Sequence, residues 1–214
     1  MSTRKLASGA VVPIWEIAPD VVAGLRLSSG PPTIMAKLTV PPNTALPITL
    51  PAGAVGDALE LRLNVSSSET AKGRVGLSVR ATNDTQPGEQ TLILFTSSAY
   101  EGEQRQKAAS PLRTGLHVLS ASADHNAGFD GAIDLVAPFP DDAQPSPSQH
   151  VYSLRVFVDR SVIEAHVDAR VSVTSRAYPL RAKEATHAFV VNQSPTHAIV
   201  VESVEVWGMG SIWK

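Results

Sequence analysis

"LRVFVDRSVIEAHV", residues 154–167, is the stretch that decides the fold. Leu154, Val156 and Val158 fall on one side of an extended backbone, with Arg155, Phe157 and Asp159 on the other. After Arg160-Ser161 the alternation resumes, with Ile163, Ala165 and Val167 opposed to Val162, Glu164 and His166. In one unbroken strand Asp159 and Glu164 would point to opposite faces, because an odd offset flips the side chain. They converge only if Arg160-Ser161 makes a turn or a bulge. A second reversal is expected at Asp168-Ala169, before "RVSVTSRAYP" (170–179). The unit is strand, kink, strand, hairpin, strand.

The same period of two runs outward in both directions. "TIMAKLTV" (33–40), "ALPITLPA" (45–52), "ALELRLNV" (58–65), "RVGLSVRA" (74–81), "QTLILFTS" (90–97), "GLHVLSAS" (115–122) and "GAIDLVAP" (131–138) read as strands. "HAFVVN" (187–192) and "AIVVESVEVW" (198–207) complete the set, each bounded by Gly, Pro, Ser, Asn or Asp. Only "AYEGEQRQKAAS" (99–110) suggests a helix, and it is polar nearly all round. Many short strands with frequent turns indicate an all-β fold, an antiparallel two-sheet β-sandwich of the concanavalin or jelly-roll type. Residues 1–22 read as a lead-in segment and 23–214 as the sandwich. "PDDAQPSPSQ" (140–149) reads as a surface loop.

At 214 residues and 43% apolar composition, the chain can bury a sizeable core as one unit. A net charge of −2 with interspersed signs offers no footprint for nucleic acid. No apolar run reaches the roughly 18 residues that span a bilayer. The absence of cysteine excludes disulfides, thiolate-held metals and a thiol nucleophile. Asn64-Val-Ser, Asn83-Asp-Thr and Asn192-Gln-Ser fit the glycosylation pattern and suggest a secretory parent protein, although no signal peptide is present.

Asp159 and Glu164 invite comparison with the carboxyl pair of a glycosidase. Such a pair flanks an open cleft, at about 5 Å when the stereochemistry is retained. Here both acids lie in one local ribbon beside Arg160, Arg170 and Arg176, a better recipe for ion pairing than for a raised-pKa acid. The expectation is therefore a structural polar brace of Asp159, Arg160, Glu164 and Arg176.

The stretch "LRVFVDRSVIEAHV…VTSRAYP" resembles the strand–turn–strand signature of the C-terminal β-sandwich module of glycoside hydrolase family 32, the family of invertases, levanases, inulinases and fructosyltransferases. "VVPIWEI" (11–17) resembles the linker leaving that family's catalytic propeller. "SPLRTGLHVLSASADHNAGFDG" (110–131) resembles its paired mid-module strands, and "VESVEVWGMGSIWK" (201–214) its closing strand. The chain departs from the pattern at Asp168-Ala169, where the family often has an Asn/Gly hairpin, and at His166, where an aromatic is usual. The resemblance implies a module that is silent alone and packs on a catalytic propeller. The family's Asn-Asp-Pro, Arg-Asp-Pro and Glu-Cys motifs belong to that propeller, and none occurs here. No catalytic residue carries over.

Other chemistries find no support. The six histidines lack metal-ligand spacing, and "SADHNAGFD" (122–130) lacks the carboxylate spacing of a calcium loop. No cofactor is expected. His166, between Glu164 and Asp168, reads as a cross-strand partner before a base. Trp15, Trp207 and Trp213 read as staples of the sandwich, and Tyr178, in the family's "R-x-Y-P" corner, as core. Tyr100 and Tyr152 remain as candidate sugar platforms. The partners expected are the propeller, with a fructoside or other carbohydrate and a second copy of the chain as further candidates. The alternative is a free-standing sugar-binding or protein-interaction sandwich.

Overall fold

The computed structural model describes residues 2–5, 11–14, 19–27, 31–82, 88–96, 115–121, 135–138, 151–168 and 171–210. A short hairpin, β1 (Ser2–Lys5) and β2 (Val11–Ile14), comes first, followed by a seven-residue helix α1 (Pro19–Leu25). Then come β3 (Thr33–Val40), β4 (Thr44–Pro47), β5 (Ala58–Ser66), the single turn α2 (Ser67–Thr70), β6 (Val75–Ala81), β7 (Gln90–Thr96), β8 (Gly115–Ala121) and β9 (Leu135–Pro138). The last five strands are β10 (Val151–Asp159), β11 (Val162–Val167), β12 (Val171–Arg176), β13 (His187–Asn192) and β14 (Ile199–Gly208).

Twelve of these strands form two six-stranded antiparallel sheets, ordered β12-β11-β10-β5-β14-β3 and β4-β13-β6-β7-β8-β9. The fold is the expected two-sheet β-sandwich. Every run of alternating residues read above carries a strand. "ALPITLPA" is strand only in its first part: β4 ends at Pro47, and the Ile48 N–H beyond it still donates to the Ala188 carbonyl at 2.9 Å. The helix candidate at 99–110, the turn at 122–130, the loop at 140–149, Trp15, Trp213 and Tyr100 lie outside the described residues.

Alternation explains the core. Leu59, Leu61, Leu63, Val156, Ile163, Ala165, Val204 and Val206 of the first sheet are fully buried against Val75, Leu77, Val79, Ile93, Leu116 and Val190 of the second. Each such Leu or Ile contributes about 1.5–3 kcal/mol relative to solvent exposure. Gly76 sets the spacing of two neighbouring strands, since a Cβ there would lie 1.9 Å from the Ile93 carbonyl oxygen. Leu94, Phe189 and Val191 form a second, smaller buried cluster with Ala81.

Both expected reversals exist. Asp159 pairs with Val162 across Arg160-Ser161. Arg160 takes a left-handed φ of 53°, and its N–H donates to the Asp57 carbonyl at 2.6 Å. Asp168 also has a positive φ, 52°, a conformation that Asp tolerates better than most residues. Its carboxylate accepts a bond from the Ser153 N–H at 2.9 Å and its own N–H donates to the Ser153 carbonyl at 3.0 Å, which carries the β10–β11 pairing one residue further.

Candidate functional site

Because the Arg160-Ser161 turn is a hairpin, Asp159 and Glu164 do share a face. Phe157 lies opposite Glu164 and Asp159 opposite Val162, so the two acids are diagonal neighbours on the outer side of the first sheet. That face is filled. Phe157 is 8% exposed there, and its ring meets His166 edge-on at a centroid distance of 6.0 Å. Arg176 stands on the next strand opposite Val162, and its Nη1 reaches the Tyr178 hydroxyl at 3.3 Å. Asp159 Oδ1 is buried without a hydrogen-bond partner among the described residues. Arg160 is exposed at the tip of the turn.

The carboxylate that gathers charge is Glu60, in the central strand β5. Alternation puts it on the outer face, yet it is completely buried. Arg26 reaches it with two bonds, Nε to Oε2 at 2.9 Å and Nη2 to Oε1 at 3.0 Å. Arg155 of β10 adds two more to Oε1, from Nε at 2.9 Å and Nη2 at 2.7 Å. Aromatic rings complete the layer: the Arg26 guanidinium lies 4.1 Å from the centroid of Trp207 and that of Arg155 lies 4.7 Å from Phe157. Arg62 also faces Trp207 at 5.5 Å and pairs with Glu205 at 3.5 Å. Three of the four charged bonds converge on Oε1 and one reaches Oε2, so the fully buried carboxylate faces two guanidinia and not solvent. Its chemistry is that of a clamp.

Arg26 directly follows α1. It forms an antiparallel bridge with Met209, with Leu27 N–H donating to the Gly208 carbonyl at 2.9 Å and Gly210 N–H to that of Leu25 at 2.7 Å. The clamp therefore fastens the end of α1 to the middle of the first sheet. Trp207 is a staple as expected, 7% exposed, but it works on the outer face under two guanidinia. Neither Arg26 nor Glu60 stands out in the sequence. The available signal was "ALELRLNV", where Glu60 and Arg62 flank a buried Leu on a strand otherwise made for the interior.

His166 lies on the same outer face, beside Phe157. Burial pushes its imidazole below the usual range; Glu164 opposes the shift and Arg155 reinforces it. Folded protein then keeps the ring neutral at a pH where the unfolded chain has already taken up a proton. Stability is expected to hold above the unfolded value of 6.5 and to fall as pH drops through it, at about 1.4 kcal/mol per unit of displacement. Urea melts between pH 8 and 5 check this. The acid-side loss attributable to this ring should vanish in His166→Gln, and an unchanged pH profile would contradict the assignment.

The remaining sequence candidates are placed as follows. Tyr152 is half-buried, its ring 4.5 Å from that of Phe95 and packed on the main core. Tyr178, expected in the core, is 66% exposed. The correction has a simple cause: the chain leaves β12 at Arg176, Ala177 turns inward, and the following side chain must point out. Asn192 is 0% exposed, and its Nδ2 donates to the carbonyls of Val40, Pro41 and His197 at 2.9–3.0 Å. Asn64 Nδ2 donates to Ser203 Oγ at 2.9 Å. Two of the three glycosylation-type asparagines thus use their amides inside the fold, and Asn83 lies outside the described residues. Among the described residues no group of His, Asp or Glu side chains is arranged to hold a metal ion.

No curated protein sequence matches the chain. Solved structures do. The fructan 1-exohydrolase IIa of Cichorium intybus matches with a TM-score of 0.64 at 17% identity, over 95% of this chain and 39% of its own. The exo-inulinase of Aspergillus awamori matches with a TM-score of 0.65 at 17% identity, over 100% and 35%. A β-fructofuranosidase of Schwanniomyces occidentalis, complexed with fructosyl-erythritol, matches with a TM-score of 0.55 at 14% identity, over 87% and 34%. At these identities the likeness is one of fold, and the chain spans 34% to 39% of the length of these three. The model of the family described as "Glycosyl hydrolases family 32 C terminal" covers residues 33–208, from the first residue of β3 to the last of β14. The chain belongs to the C-terminal β-sandwich domains of glycoside hydrolase family 32.

Proposed function

We propose that this chain is a non-catalytic module of a β-fructofuranosidase-like enzyme, packing on and stabilising a catalytic propeller domain. The observation that carries this reading is the state of its acids. Glu60 is fully buried between two guanidinia, and Asp159 and Glu164 share their face with the packed rings of Phe157 and His166. The outer face is built to fasten the residues after α1 to the middle of the first sheet. The fructosyl-erythritol of the Schwanniomyces enzyme supports a fructoside as the substrate class of such an assembly.

The test compares three samples: this chain alone, a family 32 catalytic domain from the same source alone, and the two together. Fructose release from sucrose and inulin should be absent in the first. The melting temperature of the catalytic domain should rise by several degrees in the third, as expected for a partner that binds the folded state. Fructose release by the chain alone, or a catalytic domain indifferent to its presence, would overturn the proposal.

A further inference from the structure

The two open sheets of the sandwich have four edge strands, β3 and β12 in the first and β4 and β9 in the second. An edge carries a row of backbone N–H and C=O groups that another strand can pair with, and folded proteins blunt it with proline, lysine, irregular backbone or short length. Three of the four edges are blunted. β4 has four residues, lies shortly after Pro41 and Pro42, and ends at Pro47. β9 also has four and ends at Pro138. β3 is longer, but Lys37 in its middle takes a φ of 50°, which interrupts the extended run, and its side chain is exposed. β12 has none of these devices. Its six residues are Val, Ser and Thr with one Arg at the end, and none has a positive φ.

Hydrogen bonding fixes which groups of β12 are free. The Ala177 N–H donates to the Ser161 carbonyl at 2.8 Å. Bonded positions alternate along an antiparallel pair, so Ser175, Val173 and Val171 turn their backbone groups to Ile163, Ala165 and Val167 of β11. Those of Ser172, Thr174 and Arg176 point the other way, and among the described residues no strand pairs with them. All three residues are exposed.

This row is symmetric about Thr174. When a second copy approaches antiparallel with the two Thr174 residues opposite each other, Ser172 of each copy faces Arg176 of the other. All three outward positions then become pairs that exchange both of their bonds, and any other register of the two strands uses fewer. The side chains agree with this register. On the outer face Thr meets Thr and Arg meets Ser, so no like charges stand opposite, and on the other face Val173 meets Ser175. A net charge of −2 gives the copies little mutual repulsion. Because the remaining edges are blunted, β12 finds no other strand of a second sandwich to pair with. The contact closes on itself as a two-fold dimer and does not propagate.

We propose that β12 is a self-association edge, through which two copies of this chain pair across a two-fold axis at Thr174 and join their first sheets. The inference is independent of the function proposed above, and its test contains no catalytic domain.

In sedimentation of this chain alone, the mass should rise from one copy toward two as the concentration climbs to about 0.2 mM, the behaviour of a small interface. Thr174→Pro removes an N–H that β11 does not use, so association should fall at least tenfold while the melting temperature stays within a few degrees. Ser172→Glu sets a carboxylate against Arg176 of the second copy, twice per dimer, and should tighten association about fivefold at low salt. Ser172→Arg should weaken it by a similar factor, and Ser172→Arg/Arg176→Glu should restore it. A role of β12 confined to one copy would produce neither the gain nor the rescue. A chain that stays monomeric through this range would overturn the proposal, and so would a dimer indifferent to Thr174→Pro. A dimer that Thr174→Pro weakens but that ignores the charges placed at 172 rejects the axis at Thr174. If Thr174→Pro does not fold, the two charge variants at 172 and their rescue decide.

Discussion

Glu60→Ala is expected to lower unfolding stability by about 3 kcal/mol or more. The clamp leaves Glu60 with no exposed surface, while Arg26 and Arg155 keep 23% and 22% of theirs. Removing the acid strands two guanidinia that face each other across the vacated site, each packed on an aromatic ring. Their residual exposure lets them recover some hydration, which puts the loss toward the lower part of the range for broken buried pairs. Glu60→Gln keeps the shape and part of the hydrogen bonding, and should cost less than Glu60→Ala. The effect should also be local before it is global. Amide exchange at Leu27 and Gly210, whose bonds hold the segment beside Arg26, should accelerate in Glu60→Ala under native conditions. Urea denaturation gives the first number and hydrogen exchange the second. A midpoint unchanged in Glu60→Ala would mean that the clamp is ornamental.

Asn192→Ala is expected to cost a similar amount, about 3 kcal/mol, for a different reason. The Asn192 amide ties the end of β13 to the end of β3 and to the approach to β14, through Val40, Pro41 and His197. Its Oδ1 accepts the Ser194 N–H at 2.7 Å, and Ser194 Oγ in turn donates to the Lys72 carbonyl at 2.8 Å. Truncation leaves the buried Val40 carbonyl without this donor and the buried Ser194 N–H without its acceptor, at about 1–3 kcal/mol for each group left unsatisfied. Asn192→Asp is the sharper variant. It is nearly isosteric, yet it turns a donor into an anionic acceptor aimed at carbonyl oxygens. At pH 7 it should be worse than Asn192→Ala, and acid should restore part of the loss as the carboxyl protonates. Equal melts for Asn192→Asp and the parent chain at pH 7 would show that these bonds carry no stability.

The strands could be read because alternation is a one-dimensional signal of a two-faced element. In β5, β11 and β10 from Leu154 onward every second residue is Val, Leu, Ile or Ala, and a sheet with one face in a core requires that pattern. The hairpin at Arg160-Ser161 was readable as a condition, since convergence of Asp159 and Glu164 demanded a reversal there. Tyr178 misled because a large aromatic in a familiar corner suggests burial, whereas its direction depends on how the chain leaves an edge strand. The asparagine at 192 misled in another way. Three residues announce a modification pattern, but the amide is used by carbonyls at positions 40, 41 and 197.

What the amino-acid order determined by itself is the local part: which residues are extended, which side of each strand is apolar, where the chain turns, and that no thiol or clustered histidine chemistry is available. Those properties depend on neighbours one or two positions away. Tertiary structure alone decided the clamp at Glu60, whose partners lie 34 and 95 residues distant, and the outward direction of Tyr178. The physical reason is that ion pairing and surface composition depend on distances in space, which strand order and register set only after both sheets have closed on their common core.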